Sequence, residues 1–522
     1  MDFLAILIPL FPLIAAAVIG FGHLFNKING REDEWISVAI AKTAIVLSCF
    51  AAIALLASDL LGLNSGTYNV GQWFASESFV IEINYISSGF GVIAAALFSI
   101  ILVIITRFSV NYIHKESGFH RFFFMLSLFS FAMLYLVLSG NAVGTFIGWE
   151  LAGLCSYFLI SFAYDRPIAA INATRVFVTN RIGDAGFILG IGLSFYYVGT
   201  VNWNEINGIA DQLTMPTATV ISLCFVVAAF AKSAQLPFSP WLARAMEGPT
   251  PSSALFYGAV MIHAGVFLVI LLQPIIEQAL LVMGLLVVVG LFTAIYSFIV
   301  GLTQTDVKSS ICFAITGQIG LMFLECGLGL WELAMWHLCA HSIVRGYQVM
   351  TAPSLLHYVH GNPMKPVSSS IVNVRWLYIT SLQRFWLDPI ADRALVRPIK
   401  GLGHDLDHFD KNFVDRAMGA PKPAGNTISS LNQLEQKILG TRQDSAHEDF
   451  VRSNGVVGKI FEWGANIMSW FEERLVLRGI GADTVDIGRK LGQAANTFEQ
   501  LILKPRYLVL FVFVVLMIAA SI

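Results

Sequence analysis

Stretches of roughly twenty apolar residues, each able to cross the ~30 Å hydrocarbon core of a bilayer, recur eleven times before residue 353 and restrict what this chain can become. They run approximately over 3–24, 36–62, 86–106, 120–139, 141–163, 171–200, 217–246, 249–273, 277–303, 309–328 and 331–352, with a twelfth at 505–522. Only 13% of the 522 residues are charged, 56% are hydrophobic and the mean hydropathy is +0.70, values outside the range of soluble domains. The expected fold is therefore an all-α polytopic membrane protein of about twelve transmembrane helices. Asp2 stands where a signal peptide carries basic residues, so the first helix is expected to be retained. Cysteines 49, 155, 224, 312, 326 and 339 lie in apolar runs without CxxC spacing and read as small buried hydrophobes.

Lysine and arginine fall almost entirely in alternate connections: Lys27 and Arg31, then Arg107, Lys115 and Arg121, then Arg166 and Arg175, then Lys308. Loops 63–85, 139–141, 200–216, 274–276 and 328–331 contain none. The positive-inside rule then predicts an N-terminus outside the cytoplasm of a cell inner membrane, with residue 353 inside. Residues 353–504 change character, holding 18 Lys/Arg and 16 Asp/Glu. Amphipathic spacing at 386–393 and 460–477 predicts surface-lying helices there, with a linker at 421–432. The competing expectation for 353–504 is a loosely folded polar tether. The predicted organisation is thus N-terminal helices over 1–115, a core over 116–352, a cytoplasmic amphipathic segment over 353–504 and an anchor over 505–522.

Within this apolar frame a few polar residues stand out. A charged group at membrane depth is costly unless it faces a partner or a water-filled path. Lys232 is such a group, and Glu150 is another, on the fifth predicted helix. A carboxylate facing a lysine ionises, so the two are plausible partners across helices. Arg181 and Asp184 form an i,i+3 pair on the sixth helix, read first as a helix-end pair, with Asp184 also able to tune Lys232. Pro237 removes a backbone hydrogen bond five residues after Lys232, which predicts a discontinuous, hinge-like helix; the alternative is a helix that simply ends. His337, His341 and Arg345 repeat at i, i+4, i+8 on one face, a spacing that suits proton passage through water as well as satisfied core histidines. Zinc is the weaker reading, since no carboxylate or cysteine supports that face. His263 with Tyr257, and Lys308 with Asp306, complete the polar set, while His404 and His408 read as decoration of a solvated helix face. No phosphate-cradling loop, nucleophile elbow or nucleic-acid-binding basic patch is visible, so no cofactor, resident metal or nucleic-acid partner is expected, nor a redox or hydrolytic centre.

The motifs Gly148-Trp149-Glu150, Gly153-Leu154-Cys155-Ser156-Tyr157, Lys232-Ser233-Ala234-Gln235-Leu236-Pro237, Glu247-Gly248-Pro249-Thr250-Pro251, Gln304-Thr305-Asp306-Val307-Lys308 and Gln318-Ile319-Gly320 occur in order over about residues 85–350. Together they resemble the antiporter-like subunits of respiratory complex I, in particular subunit 5 (chain L in bacteria). The large subunit of Mrp sodium/proton antiporters and the membrane subunit of DAB inorganic-carbon uptake complexes share the likeness. The resemblance implies that Lys232 is a switchable proton carrier modulated by Glu150, and that His337 and His341 continue a relay towards Lys308. Tyr257 stands where the family usually has histidine, and His263 where threonine or lysine is common. Arg345 replaces a frequent lysine and cannot release a proton. A second broken helix with its own lysine is not evident after residue 352. The expected function is a proton-translocating subunit that energises a partner, with a DAB-type complex and its carbonic-anhydrase-like zinc protein favoured. Alternatives are a pumping subunit of a complex I or hydrogenase-like assembly, an Mrp-type antiporter subunit, and a membrane anchor without transport.

Overall fold

The computed structural model describes residues 1–410 apart from 77–78, 305, 360–366 and 368. The expected helix at 505–522, the linker at 421–432 and the amphipathic stretch at 460–477 lie outside the described residues. Residues Met1–Val396 form one compact unit, and the helix Arg397–Phe409 belongs to a second.

The first unit opens with α1 (Leu4–Leu24) and α2 (Glu34–Leu60), then a hairpin of β1 (Thr67–Ser76) and β2 (Phe79–Ile86). It continues with α3 (Phe90–Tyr112), α4 (Phe119–Leu138), α5 (Ala142–Ile160), α6 (Pro167–Val198) and the short α7 (Trp203–Gly208). Next come α8 (Met215–Lys232), α9 (Pro240–Arg244), α10 (Thr250–Ser253), α11 (Ala264–Leu271) and α12 (Gln273–Glu277). The long α13 (Leu280–Gly301), α14 (Val307–Gly327) and α15 (Trp331–Val359) follow, then α16 (Ser369–Val372), α17 (Arg375–Leu382) and α18 (Leu387–Ala391). The second unit's helix is α19 (Arg397–Phe409), on which His404 and His408 are exposed.

Ten helical stretches among the described residues are long and apolar enough to cross a membrane, so the chain is a multi-pass, essentially all-α membrane protein. The helix α15 is not among the ten, because Glu332, His337, His341 and Arg345 dilute its apolar character.

Two expected helices prove to be broken. The stretch expected at 217–246 stops at Lys232, resumes at Pro240 and leaves residues 233–239 outside any helix. The stretch expected at 249–273 spans Thr250–Leu271, but passes through a π-helical turn at Ala254–Ala259 and a 3₁₀ turn at Met261–His263. It is also the most enclosed of the ten, 94% buried.

The loop expected at 63–85 is instead an antiparallel hairpin, its strands rich in Tyr, Val, Ile and Phe. Its anchor is a set of side-chain amides. Asn84 Nδ2 donates to Asn202 Oδ1 (3.1 Å), and Asn141 Nδ2 donates to Asn84 Oδ1 (2.6 Å) and to the Glu82 carbonyl (2.7 Å). Asn141 also caps α5 by accepting from Gly144 N (2.8 Å).

Between membrane helices, small residues let backbones approach closely. A Cβ on Gly290 of α13 would lie 2.5 Å from the Gly320 carbonyl, and one on Gly320 would lie 2.7 Å from the Gly290 carbonyl. Backbone cannot yield as a side chain can, so Gly290→Ala is expected to cost about 3 kcal/mol, the upper end of overpacking. Gly284→Ala, with nothing within 4 Å of its Cβ, serves as the control and is expected to be neutral. Thermal unfolding of the two variants in detergent checks the contrast.

Candidate functional site

Lys232 is the last residue of α8 and is 1% exposed. Its Nζ donates to the Trp149 carbonyl of α5 at 2.9 Å and lies 5.0 Å from the centre of the Trp149 ring. Cation and ring face attract at this range. Gly153, one turn further along α5, leaves room for the ammonium: a Cβ there would sit 3.2 Å from Lys232 Nζ and 3.4 Å from Arg181 Nη2. Two cationic heads therefore share one glycine-lined space.

Glu150 does not pair directly with Lys232. Its ion pair is with Arg181 of α6, whose Nη1 donates to Glu150 Oε2. Arg181 Nε lies 2.9 Å from Asp184 Oδ2, and its guanidinium stacks on the Phe177 ring at 4.4 Å. Asp184, 3% exposed, accepts a hydrogen bond from the Trp149 indole Nε1 at 2.8 Å. The Arg181–Asp184 pair, expected at a helix end, sits in the middle of the 32-residue α6. Arg181 thus takes both carboxylates. The reason is geometric: a guanidinium presents a planar fork that can serve two acceptors, whereas an ammonium is a point charge.

The break after Lys232 survives because its backbone groups find partners. Ser233 Oγ donates to the Ile262 carbonyl (2.7 Å), Leu236 N to Thr293 Oγ1 (3.1 Å) and Trp241 Nε1 to the Ala231 carbonyl (2.8 Å). Pro237 lies in this non-helical stretch, not within a continuous helix. Gly265 of α11 lets the two interruptions touch, since a Cβ there would lie 2.3 Å from Ser233 Oγ.

A second group gathers around α15. His263 Nε2 and His341 Nδ1 are 2.8 Å apart, and Ser342 Oγ lies 3.3 Å from either His263 nitrogen. The His341 and His337 ring centroids are 6.2 Å apart. His337 Nδ1 faces both Glu325 oxygens (2.9 and 3.1 Å), and its Nε2 faces Gln318 Oε1 (2.9 Å), both residues on α14. Tyr257 is buried within the π-helical turn.

Lys308 stands apart from this row, donating to Thr250 Oγ1 at 3.2 Å, while Asp306 caps α14 by accepting from Ser309 N at 2.8 Å. Arg345 is turned to Gln348 Oε1 (2.6 Å). The hydrogen bonds of the histidine row lead to His263, Gln318 and Glu325, not to Lys308. Among the described residues no three His, Cys, Asp or Glu side chains converge as a metal requires.

Glu325 was missed by sequence reasoning, although it interrupts the apolar run Leu321-Met322-Phe323-Leu324 just as Glu150 interrupts its own. The amphipathic stretch expected at 386–393 is helical over Leu387–Ala391, and what sequence reasoning missed is that it straps the broken helix. Asp388 lies 3.5 Å from Arg244 and 3.6 Å from Arg384, Asp392 lies 3.3 Å from Arg175, and Arg384 donates to Gln304 Oε1 (3.1 Å). Asp388, Asp392, Arg175 and Arg244 line a cleft beside the break together with Phe238 and Trp241. Partly exposed ion pairs contribute about 0.2–1 kcal/mol each. Asp388→Arg loses two of them and adds repulsion, so chymotryptic cleavage at 385–387 is expected to accelerate by about tenfold, read by limited proteolysis.

Residues 139–377 match the transmembrane domain described as NADH:quinone oxidoreductase/Mrp antiporter, TM. The chain is 33% identical over 370 residues to NAD(P)H-quinone oxidoreductase chain 5 of a Synechocystis strain, covering 69% of this chain and 53% of the relative. It is 35% identical over 315 residues to NADH-quinone oxidoreductase subunit L of Campylobacter jejuni, covering 60% and 52% respectively. The chain therefore spans about half the length of the curated relatives it matches. Its fold resembles a chain of the Mrp complex from Dietzia, with TM-score 0.60 and 19% identity over 98% of this chain and 62% of the other. It also resembles a chain of the membrane-bound sulfane sulfur reductase, an archaeal respiratory membrane complex, with TM-score 0.57 and 18% identity over 66% and 70%. Residues 139–377 thus carry the transmembrane domain shared by NADH:quinone oxidoreductases and Mrp antiporters, and the chain is similar to the antiporter-like membrane subunits of those complexes.

Proposed function

We propose that the chain is a proton-translocating membrane subunit in which Lys232 carries the proton and Glu150 sets when it is held. The observation that carries this reading is the buried Lys232 ammonium at the helix break, bonded to the Trp149 carbonyl while both nearby carboxylates are taken by Arg181. A carboxylate facing an ammonium favours its charge, and a carboxylate engaged by a guanidinium does so less. Movement of Glu150 between Arg181 and Lys232 therefore alternates holding and release. His263, His341 and His337 supply the onward groups, and Tyr257 is buried in the π-helical turn that precedes His263. The expected orientation has the N-terminus outside the inner membrane.

The subunit serves a partner. The favoured partner reading is a DAB-type inorganic-carbon complex with a carbonic-anhydrase-like zinc protein, supported by residues 353–504, whose 18 basic and 16 acidic residues suit a polar docking surface. Purification of the full chain from its native membrane, followed by metal analysis and CO2-hydration assay, tests it. Co-purifying zinc and hydration activity support the reading. Iron–sulfur or quinone-binding partners overturn it in favour of a redox-linked pump, as the names of the quinone oxidoreductase relatives suggest, and sodium-dependent proton flux overturns it in favour of an Mrp-type role. Flux through reconstituted wild-type and Lys232→Ala protein tests translocation itself.

A further inference from the structure

We propose that Glu325 is the terminal proton-exchange group of the histidine row, opening it to water at the end of α14 remote from Lys308. The inference rests on the proton-translocating reading above. Glu325 lies two residues before the end of α14, next to the exposed turn Leu328–Leu330, while Lys308 stands at the opposite end of the same helix. The Glu325 side chain is 16% exposed and that of His337 is 19% exposed, so each touches both the interior and the exterior. Loop 328–331 carries no Lys or Arg, which marks this as the face away from the cytoplasm.

The bonding of His337 suits proton exchange in either direction. Nδ1 meets a carboxylate, and Nε2 meets the Gln318 amide, which offers its oxygen to a protonated nitrogen or, turned end for end, its NH2 to an unprotonated one. Gln318 thereby matches both states of the ring. On the inner side, His341 Nε2 is buried with no partner among the described residues, and its ring centroid is 6.2 Å from that of His337, within the reach of one bridging water. In the outward step the Nδ1–H bond of His337 breaks as an O–H bond forms on Glu325. That proton then leaves to bulk water as hydronium, restoring the carboxylate. Inward movement is the reverse, and no electrons are exchanged.

The test uses the full chain with its co-purifying partners in pyranine-loaded liposomes, with proton flux driven by a potassium diffusion potential. Glu325→Gln is expected to lower flux by about tenfold or more, since positioned proton transfer typically contributes at least that much. Sodium azide, a small diffusible proton carrier, is expected to restore a large share of it. Glu325→Asp, which keeps the carboxylate and the ion pair, is expected to conduct with a displaced pH profile. Flux within about twofold of wild type in Glu325→Gln, while Lys232→Ala is silent, overturns the role of Glu325 and leaves the function intact. A loss in Glu325→Gln that azide does not restore, with an unchanged pH profile in Glu325→Asp, assigns Glu325 a structural role and overturns the proposal. Wild-type flux in Lys232→Ala overturns the assignment of Lys232 as carrier, and a wild-type protein without flux above empty liposomes overturns the translocation reading itself.

Discussion

Lys232→Ala is expected to reduce proton flux through the reconstituted full chain by about a hundredfold or more, the range lost when a positioned proton carrier is removed. The decisive companion is Lys232→Arg. Arginine keeps the positive charge near Trp149 but does not deprotonate in proteins, so it is expected to be equally silent. A residue present only to balance charge would be rescued by arginine, and a residue that gives up its proton would not. Folding is not the cause of the loss in this scheme. Removing the side chain leaves the Trp149 carbonyl without its 2.9 Å donor, at about 1–3 kcal/mol, and also removes the need to bury an ammonium. Thermal unfolding in detergent within a few degrees of wild type, alongside the flux assay, separates the two effects. Wild-type flux in both variants would take Lys232 out of the proton path, and a wild-type chain that conducts no protons would favour a membrane anchor.

Arg181→Gln is expected to produce the largest loss of stability at the site, about 3 kcal/mol, because it strands two carboxylates that share one guanidinium. The lower end of the buried-pair range applies, as the Arg181 and Glu150 side chains are 30% and 26% exposed. Asp184 keeps its bond from the Trp149 indole, so Glu150 carries most of the penalty. The double variant Glu150→Gln/Arg181→Gln removes one stranded charge along with its partner and is expected to recover at least about half of the loss. Chemical unfolding of the two single variants and the double in detergent gives the coupling. Simple additivity would show that the Arg181–Glu150 contact contributes nothing.

The membrane spans were legible because twenty apolar residues have few other places to go. The resulting boundaries agree with the structure to within a few residues where nothing interrupts the helix, as at Phe119–Leu138 and Leu280–Gly301. Interruptions were only half visible. Pro237 announced one, but whether the chain would hinge or simply stop depended on Ser233 reaching the Ile262 carbonyl and Leu236 reaching Thr293, contacts between segments far apart in sequence. Nothing in Ala254-Leu255-Phe256-Tyr257-Gly258-Ala259 signals a π-helical turn. The hairpin is hidden because 63–85 connects two apolar spans, and a two-residue alternation within it is a weak signal beside them. At the site, the residue types were legible and their pairing was not. Glu150, Arg181, Asp184 and Lys232 all stood out as charges at membrane depth, yet the choice of Arg181 over Lys232 is made by where three helices place a guanidinium fork. Glu325 is not legible from the histidine spacing on α15, because the carboxylate that meets His337 stands on α14.

The contact between the two interruptions has a mechanical meaning. Ser233 spends its hydroxyl on the carbonyl of Ile262, the residue before His263, and Gly265 keeps the two segments at touching distance. Neither can be straightened or reopened without breaking that bond, so the lysine break and the histidine bend form a single joint. A displacement that begins at the lysine is delivered to the histidine as a change of posture, whether or not a proton has yet made the same journey.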